Sequence, residues 1–146
     1  MKKINQLCNK YNVILLEDNC ESLGSIINER LLGNFGAAST FSFFVGHHLS
    51  AIEGGMICTN DELVYQQVRM LRSHGMVRES NDQTFREKYI NENPELNPDF
   101  IFAFPAYNTR NTEIGGILGR SQLKRLDKMV EIRNDNLKTF LNTINV

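Results

Sequence analysis

The chain has 146 residues, 41% of them hydrophobic and 23% charged, and a formal net charge of −1. With Lys and Arg dispersed along a near-neutral chain, there is no basic footprint for nucleic acid or an anionic membrane surface. No run of about 18 apolar residues marks a membrane-spanning helix. The start, Met1-Lys2-Lys3-Ile4-Asn5-Gln6, lacks the apolar core of a secretory signal, so a cytoplasmic protein is expected.

Residues 3–11 predict a helix, with Ile4, Leu7, Cys8 and Tyr11 on one face. Val13-Ile14-Leu15-Leu16 predicts a strand buried on both faces, as in a parallel sheet, with Glu17 and Asp18 at its carboxyl end. In open α/β sheets that edge is where ligands bind. Ser25-Ile26-Ile27 and Leu31-Leu32, around polar Asn28-Glu29-Arg30, predict a hairpin. A loop at Gly33-Asn34-Phe35-Gly36 precedes a β-prone segment from Thr40 to Val45. Met56 to Thr59 predicts a further strand after Glu53-Gly54-Gly55, whose glycines allow positive φ or close approach. Asn60 or Asp61 caps a helix running to about Arg72. Residues 73–107, with three prolines and little periodicity, predict an irregular loop, functional or mobile. From Asn111 or Thr112 onward the remainder predicts helix, and the whole is expected to form one domain.

The three cysteines, Cys8, Cys20 and Cys58, are widely spaced without a CxxC pair, which predicts buried structural thiols rather than a zinc site or a disulfide. His47 and His48, as neighbours on a strand, would point to opposite faces and make a poor metal site, so no metal is expected. His74, in a Ser-His-Gly turn, is expected to be structural.

Five motifs occur in order: Glu17-Asp18-Asn19-Cys20-Glu21-Ser22, Phe41-Ser42-Phe43, Glu53-Gly54-Gly55, Leu71-Arg72-Ser73-His74-Gly75, and Tyr107-Asn108 with Arg110, Thr112 and Glu113. Together they resemble the DegT/DnrJ/StrS family of pyridoxal-phosphate (PLP)-dependent nucleotide-sugar aminotransferases, over roughly residues 3–140. The resemblance implies an α/β fold, a partial large domain of the aspartate aminotransferase (type I) kind. Such a domain has a mixed, mostly parallel sheet with flanking helices. By the same resemblance, the family's first strands and its small C-terminal domain are expected to have no counterpart among these residues.

Residue by residue, Asp18 matches the family aspartate on the cofactor's pyridine nitrogen, where a carboxylate keeps the ring protonated and electron-withdrawing. Its alternative is a helix cap. Glu21 stands where most of the family has a glutamine near the cofactor's phenolic oxygen; its alternative is a solvated surface glutamate. Ser42 matches the serine that contacts phosphate, its alternative being a polar residue facing out from a strand. His47 falls five residues after Ser42, at the position of the lysine that bonds covalently to the cofactor. An imidazole cannot form that bond, and no lysine lies nearby. Arg110 matches an arginine of the active-site region and is weakly assigned to substrate contact.

Glu21 and His47 together are similar to the branch of sugar 3-dehydratases acting on GDP-4-keto-6-deoxymannose. That likeness implies pyridoxamine phosphate (PMP) as the working cofactor and a nucleotide-linked 4-keto-6-deoxyhexose as substrate. It also implies His47 as the base that moves the C4′ proton while the C3 hydroxyl leaves, and an amino acid such as glutamate as amine donor. A homodimer or a complementing chain is the implied assembly. Two alternatives stand beside it: a non-catalytic fragment or subunit of a split enzyme, and an ordinary nucleotide-sugar aminotransferase.

Overall fold

The computed structural model describes residues 1–144, which fall into two compact units, residues 1–58 with 111 onward, and Thr59–Arg110. The first unit opens with α1 (Lys2–Tyr11), which ends where Asn12 turns left-handed at φ 51°. The Val13 amide then bonds back to the Cys8 carbonyl at 2.9 Å, closing the helix in the manner of a left-handed cap. β1 follows at Leu16–Asp18 and pairs in parallel with β4 (Ala38–Ser42), in the register Leu16↔Ala38, Glu17↔Ser39 and Asp18↔Thr40. Between them, β2 (Ile26–Ile27) and β3 (Arg30–Leu31) form the expected antiparallel hairpin. β5 (Gly55–Thr59) completes a three-stranded sheet in the order β1-β4-β5.

The strand expected from Val13 is displaced. Pairing begins only at Leu16, and Val13 and Ile14 are 60% and 75% exposed rather than buried on both faces. What the β1–β4 ladder does bury is polar, Glu17 and Ser39, a cross-strand pair on the face away from Asp18 and Thr40.

The second unit holds α2 (Glu62–Leu71), capped by the Asp61 carboxylate accepting from the Val64 amide at 3.0 Å. The segment expected to be irregular contains α3 (Gln83–Glu92), between 3₁₀ turns at Val77–Glu79 and Pro98–Phe100. α3 has few apolar residues, which is why periodicity misses it. Its stability rests on the Asp82 cap to the Phe85 amide and on Phe85 against Tyr89, ring centroids 4.8 Å apart. Met70, Met76, Val77 and Ile101 form this unit's buried apolar core. Two of the sequence motifs meet here: the Tyr107 amide bonds to the Leu71 carbonyl, and the His74 amide to the Tyr107 carbonyl. His74 and Gly75 are both left-handed, and a Cβ on Gly75 would strike the Phe104 carbonyl, so the Ser-His-Gly sequence builds a turn.

The closing helical region, expected as one stretch, is two helices, α4 (Glu113–Leu123) and α5 (Leu126–Thr143). The Arg125 amide bonds to the Gln122 carbonyl three residues back, a 3₁₀-type bond that interrupts the α ladder. No described helix is long and apolar enough to cross a membrane.

Candidate active site

The site is built at the carboxyl ends of β1 and β4. Asp18 is the last residue of β1, and its Oδ1 accepts from the Cys20 amide and from the Thr40 hydroxyl, each at 3.1 Å. The Cys20 thiol, then the Cys20 amide and the Thr40 hydroxyl hold the carboxyl below its ordinary value, with a smaller contribution from the field of His47, against a slight cost of desolvation. An exposed carboxylate so held is ionised throughout the neutral range. Asp18 in turn pushes the Cys20 thiol up, so the thiol stays protonated. The three cysteines are not the buried thiols expected: Cys8 and Cys20 are half-buried and Cys58 is exposed.

Ser42 ends β4 on the same face as Thr40, two residues on. Its Oγ accepts from the Phe44 amide at 3.2 Å, which leaves the hydroxyl hydrogen free to donate. Beyond it the chain leaves the sheet, so His47 and His48 lie in a turn rather than on a strand. Three backbone bonds shape this loop: Ala51 amide to Phe43 carbonyl, Phe43 amide to Gly54 carbonyl, and His47 amide to Phe44 carbonyl. Leu49 and Ala51, each 5% exposed, anchor it, and Gly54 takes the positive φ expected of the Glu-Gly-Gly turn.

His47 sits edge-on to Phe44, ring centroids 5.6 Å apart, and its Nε2 is 3.6 Å from Glu21 Oε1. Nδ1 is buried, so Nε2 is the nitrogen that faces a charged partner. Asp18, Glu21 and His47 are thereby brought together, with Ser42 on the strand that carries Thr40. Arg110 belongs to the second unit, where its Nε donates to Asn108 Oδ1 at 3.3 Å. Sequence reasoning missed Thr40 and Cys20. Period-two spacing back from Ser42 points to Thr40, but its pairing with Asp18 needs the register.

Glu17, adjacent to Asp18, does something different. Its carboxylate accepts from the amides of Gly33 (2.8 Å), Phe35 (2.5 Å) and Gly36 (2.7 Å), so it is the buried anchor of the 33–36 loop. Among the described residues no cluster of three potential metal ligands occurs.

Burial first, then the fields of Arg133 and His47, push the His48 imidazole below its ordinary value of 6.5. A histidine depressed in the fold contributes stability that is complete above 6.5 and is lost as pH falls through its folded value. Acidification from pH 7 to 5 is therefore expected to lower the chain's thermal midpoint. His48→Gln should flatten that slope, as checked by circular dichroism melts at each pH.

A parallel strand pair with a carboxylate and a hydroxyl at its carboxyl ends, and an imidazole in the turn just beyond, is the α/β arrangement in which ligands bind at the carboxyl edge of the sheet. The DegT/DnrJ/EryC1/StrS aminotransferase family model matches residues 1–145, and the chain belongs to this family. It is 37% identical over 139 residues to GDP-4-keto-6-deoxy-D-mannose 3-dehydratase of Escherichia coli O55:H7, an alignment covering 95% of this chain and 36% of that protein. The solved E. coli GDP-4-keto-6-deoxy-D-mannose-3-dehydratase with bound hydrated PLP superposes with a TM-score of 0.81 at 35% identity. It covers 99% of this chain and 37% of that one. A further structure of a GDP-4-keto-6-deoxymannose-3-dehydratase, holding a trapped PLP–glutamate adduct, gives 0.81 at 34%, covering 99% and 37%. The chain thus spans a little over a third of the length of these relatives.

Proposed function

We propose that this chain carries the cofactor floor and the acid–base residue of a PLP/PMP-dependent sugar 3-dehydratase, working on a nucleotide-linked 4-keto-6-deoxyhexose. The observation that carries the reading is His47, at the apex of an anchored loop with its Nε2 beside the Glu21 carboxylate, where an aminotransferase would need a lysine.

The donor set suits a pyridine cofactor. Asp18 offers an exposed, ionised carboxylate whose Oδ1 is already held, so Oδ2 is the oxygen for a ring N–H. The Ser42 hydroxyl has a hydrogen to give to a phosphate oxygen. When bound, the pyridinium ring supplies an electron sink and its amine form the nitrogen that meets a 4-keto group. The chain's own work is then to bind and to move protons. Asp18 keeps the ring nitrogen protonated, Ser42 holds phosphate, and His47 takes up and returns a proton at Nε2. Glu21, 3.6 Å away, stabilises the imidazolium that this produces. Arg110 is assigned to substrate contact, glutamate to the role of amine donor, and a homodimer or a complementing chain to the assembly. The cytoplasm is the compartment proposed.

Titration of the purified chain with PMP and PLP, followed by absorbance, tests the reading. The expected result is saturable binding of PMP and no borohydride-stable lysine adduct from PLP. A trappable lysine adduct would favour the ordinary aminotransferase. Binding of neither form would favour a non-catalytic subunit. One observation supports that second reading: α1 has no buried residue, and Leu7, Tyr11, Ile14 and Leu16 are all more than half exposed, as in a unit completed by further polypeptide.

A further inference from the structure

Asp18 and Thr40 stand directly opposite each other in the β1–β4 ladder, both exposed. A hydrogen bond between exposed groups adds little to stability, and a solvated carboxylate is otherwise free to turn about its last torsion. Here two donors, the Thr40 hydroxyl and the Cys20 amide, converge on the same oxygen. That arrangement fixes the plane of the carboxylate and commits one of its oxygens. Threonine is suited to the task, because its β-branched side chain is stiff at χ1 in a strand.

We propose that Thr40 is the positioning residue of Asp18, holding Oδ1 from across the ladder so that Oδ2 is the oxygen presented to a bound ring nitrogen. The inference rests on the reading of Asp18 as the pyridine partner and adds a residue to it. The other groups that act on this carboxylate are the Cys20 thiol and amide and, more weakly, His47. Both Cys20 groups sit on the segment that turns back just after Asp18, so removing Thr40 takes away the donor that reaches the carboxylate from across the ladder.

The test compares the unmodified chain with Thr40→Val and Thr40→Ser. Without cofactor, the carboxyl carbon of Asp18 is titrated by NMR. Thr40→Val should shift its titration to higher pH, and Thr40→Ser should restore it. With PLP, Thr40→Val should weaken binding roughly fivefold, in line with the loss of one exposed hydrogen bond to a charged group. It should also move the ¹⁵N shift of the ring nitrogen toward the unprotonated value, again with rescue by serine. Added to Asp18→Asn, Thr40→Val should cause no further loss. An unchanged Asp18 titration in Thr40→Val overturns the proposal whether or not PLP binds. So does unmodified affinity together with an unmodified ring shift. A shifted Asp18 titration in a chain that takes up no PLP supports Thr40 as the residue that positions Asp18, and counts against the cofactor reading instead.

Discussion

His47→Asn is expected to abolish dehydration while leaving cofactor binding intact. Asparagine keeps a polar side chain of similar reach but has no titratable nitrogen, so the proton that Nε2 would take has nowhere to go. A positioned acid–base group contributes roughly 10²–10⁴-fold to a rate, and a loss of turnover in that range is the expected size. Apart from its edge-on contact with Phe44, the imidazole takes no part in the backbone bonds and the buried Leu49 and Ala51 side chains that hold the 43–54 loop. The loop should therefore survive the change. Turnover of GDP-4-keto-6-deoxymannose with PMP and glutamate, measured beside the PMP absorbance titration, separates the two effects. If His47→Asn turned over at the unmodified rate, the base would lie elsewhere. If it also lost PMP, His47 would be part of the binding surface. Glu21→Gln should cost less than His47→Asn, since it removes only a charge 3.6 Å from an otherwise intact imidazole.

What the sequence revealed of this site, and what it concealed, follows from the range over which each feature is determined. Asp18 at the end of a strand was legible from the apolar run before it. Ser42 and His47 were picked out by the family resemblance, and the structure ends β4 at Ser42, where the sequence suggested strand as far as Val45, and leaves His47 in the turn beyond. The hairpin at Ile26–Leu31 and the Asp61 cap were legible because each is closed within a few residues. The start of β1 was not, because an apolar run says nothing about where a partner strand begins. Ala38 sets that point, 22 residues away from Leu16. α3 was hidden by its polarity, since a helix carried by a cap and one aromatic pair leaves almost no hydrophobic period to detect. Cys20 looked like an ordinary small apolar residue, yet its amide lies two positions after Asp18, where the chain turns back onto the carboxylate. Glu17 and Asp18 read alike in sequence. Only the strand pleat separates them, sending one toward the loop at 33–36 and the other toward the open edge.

That separation makes the second large prediction. Glu17→Gln is expected to destabilise the chain by about 2–3 kcal/mol, the cost of losing one charge-assisted hydrogen bond and leaving its buried donor unpaired. The carboxylate is acceptor-only and serves three amide donors, Gly33 on Oε2 and Phe35 and Gly36 on Oε1. Glutamine has one acceptor oxygen and one donor group, so whichever way its amide is turned, an N–H faces an N–H. The loop cannot readily move to relieve this: a Cβ on Gly36 would lie 2.5 Å from the Leu15 carbonyl oxygen, which shows how closely its backbone is packed there. Asp18→Asn should give the opposite pattern. It is exposed, so the unfolding midpoint in urea should barely change, whereas PMP binding should fall because a neutral amide no longer favours a protonated ring nitrogen. Urea unfolding and PMP titration of both variants make a two-by-two comparison. Equal losses of stability in the two would mean that Asp18 is structural. Unchanged stability in Glu17→Gln would mean that the 33–36 loop is held by something other than that carboxylate.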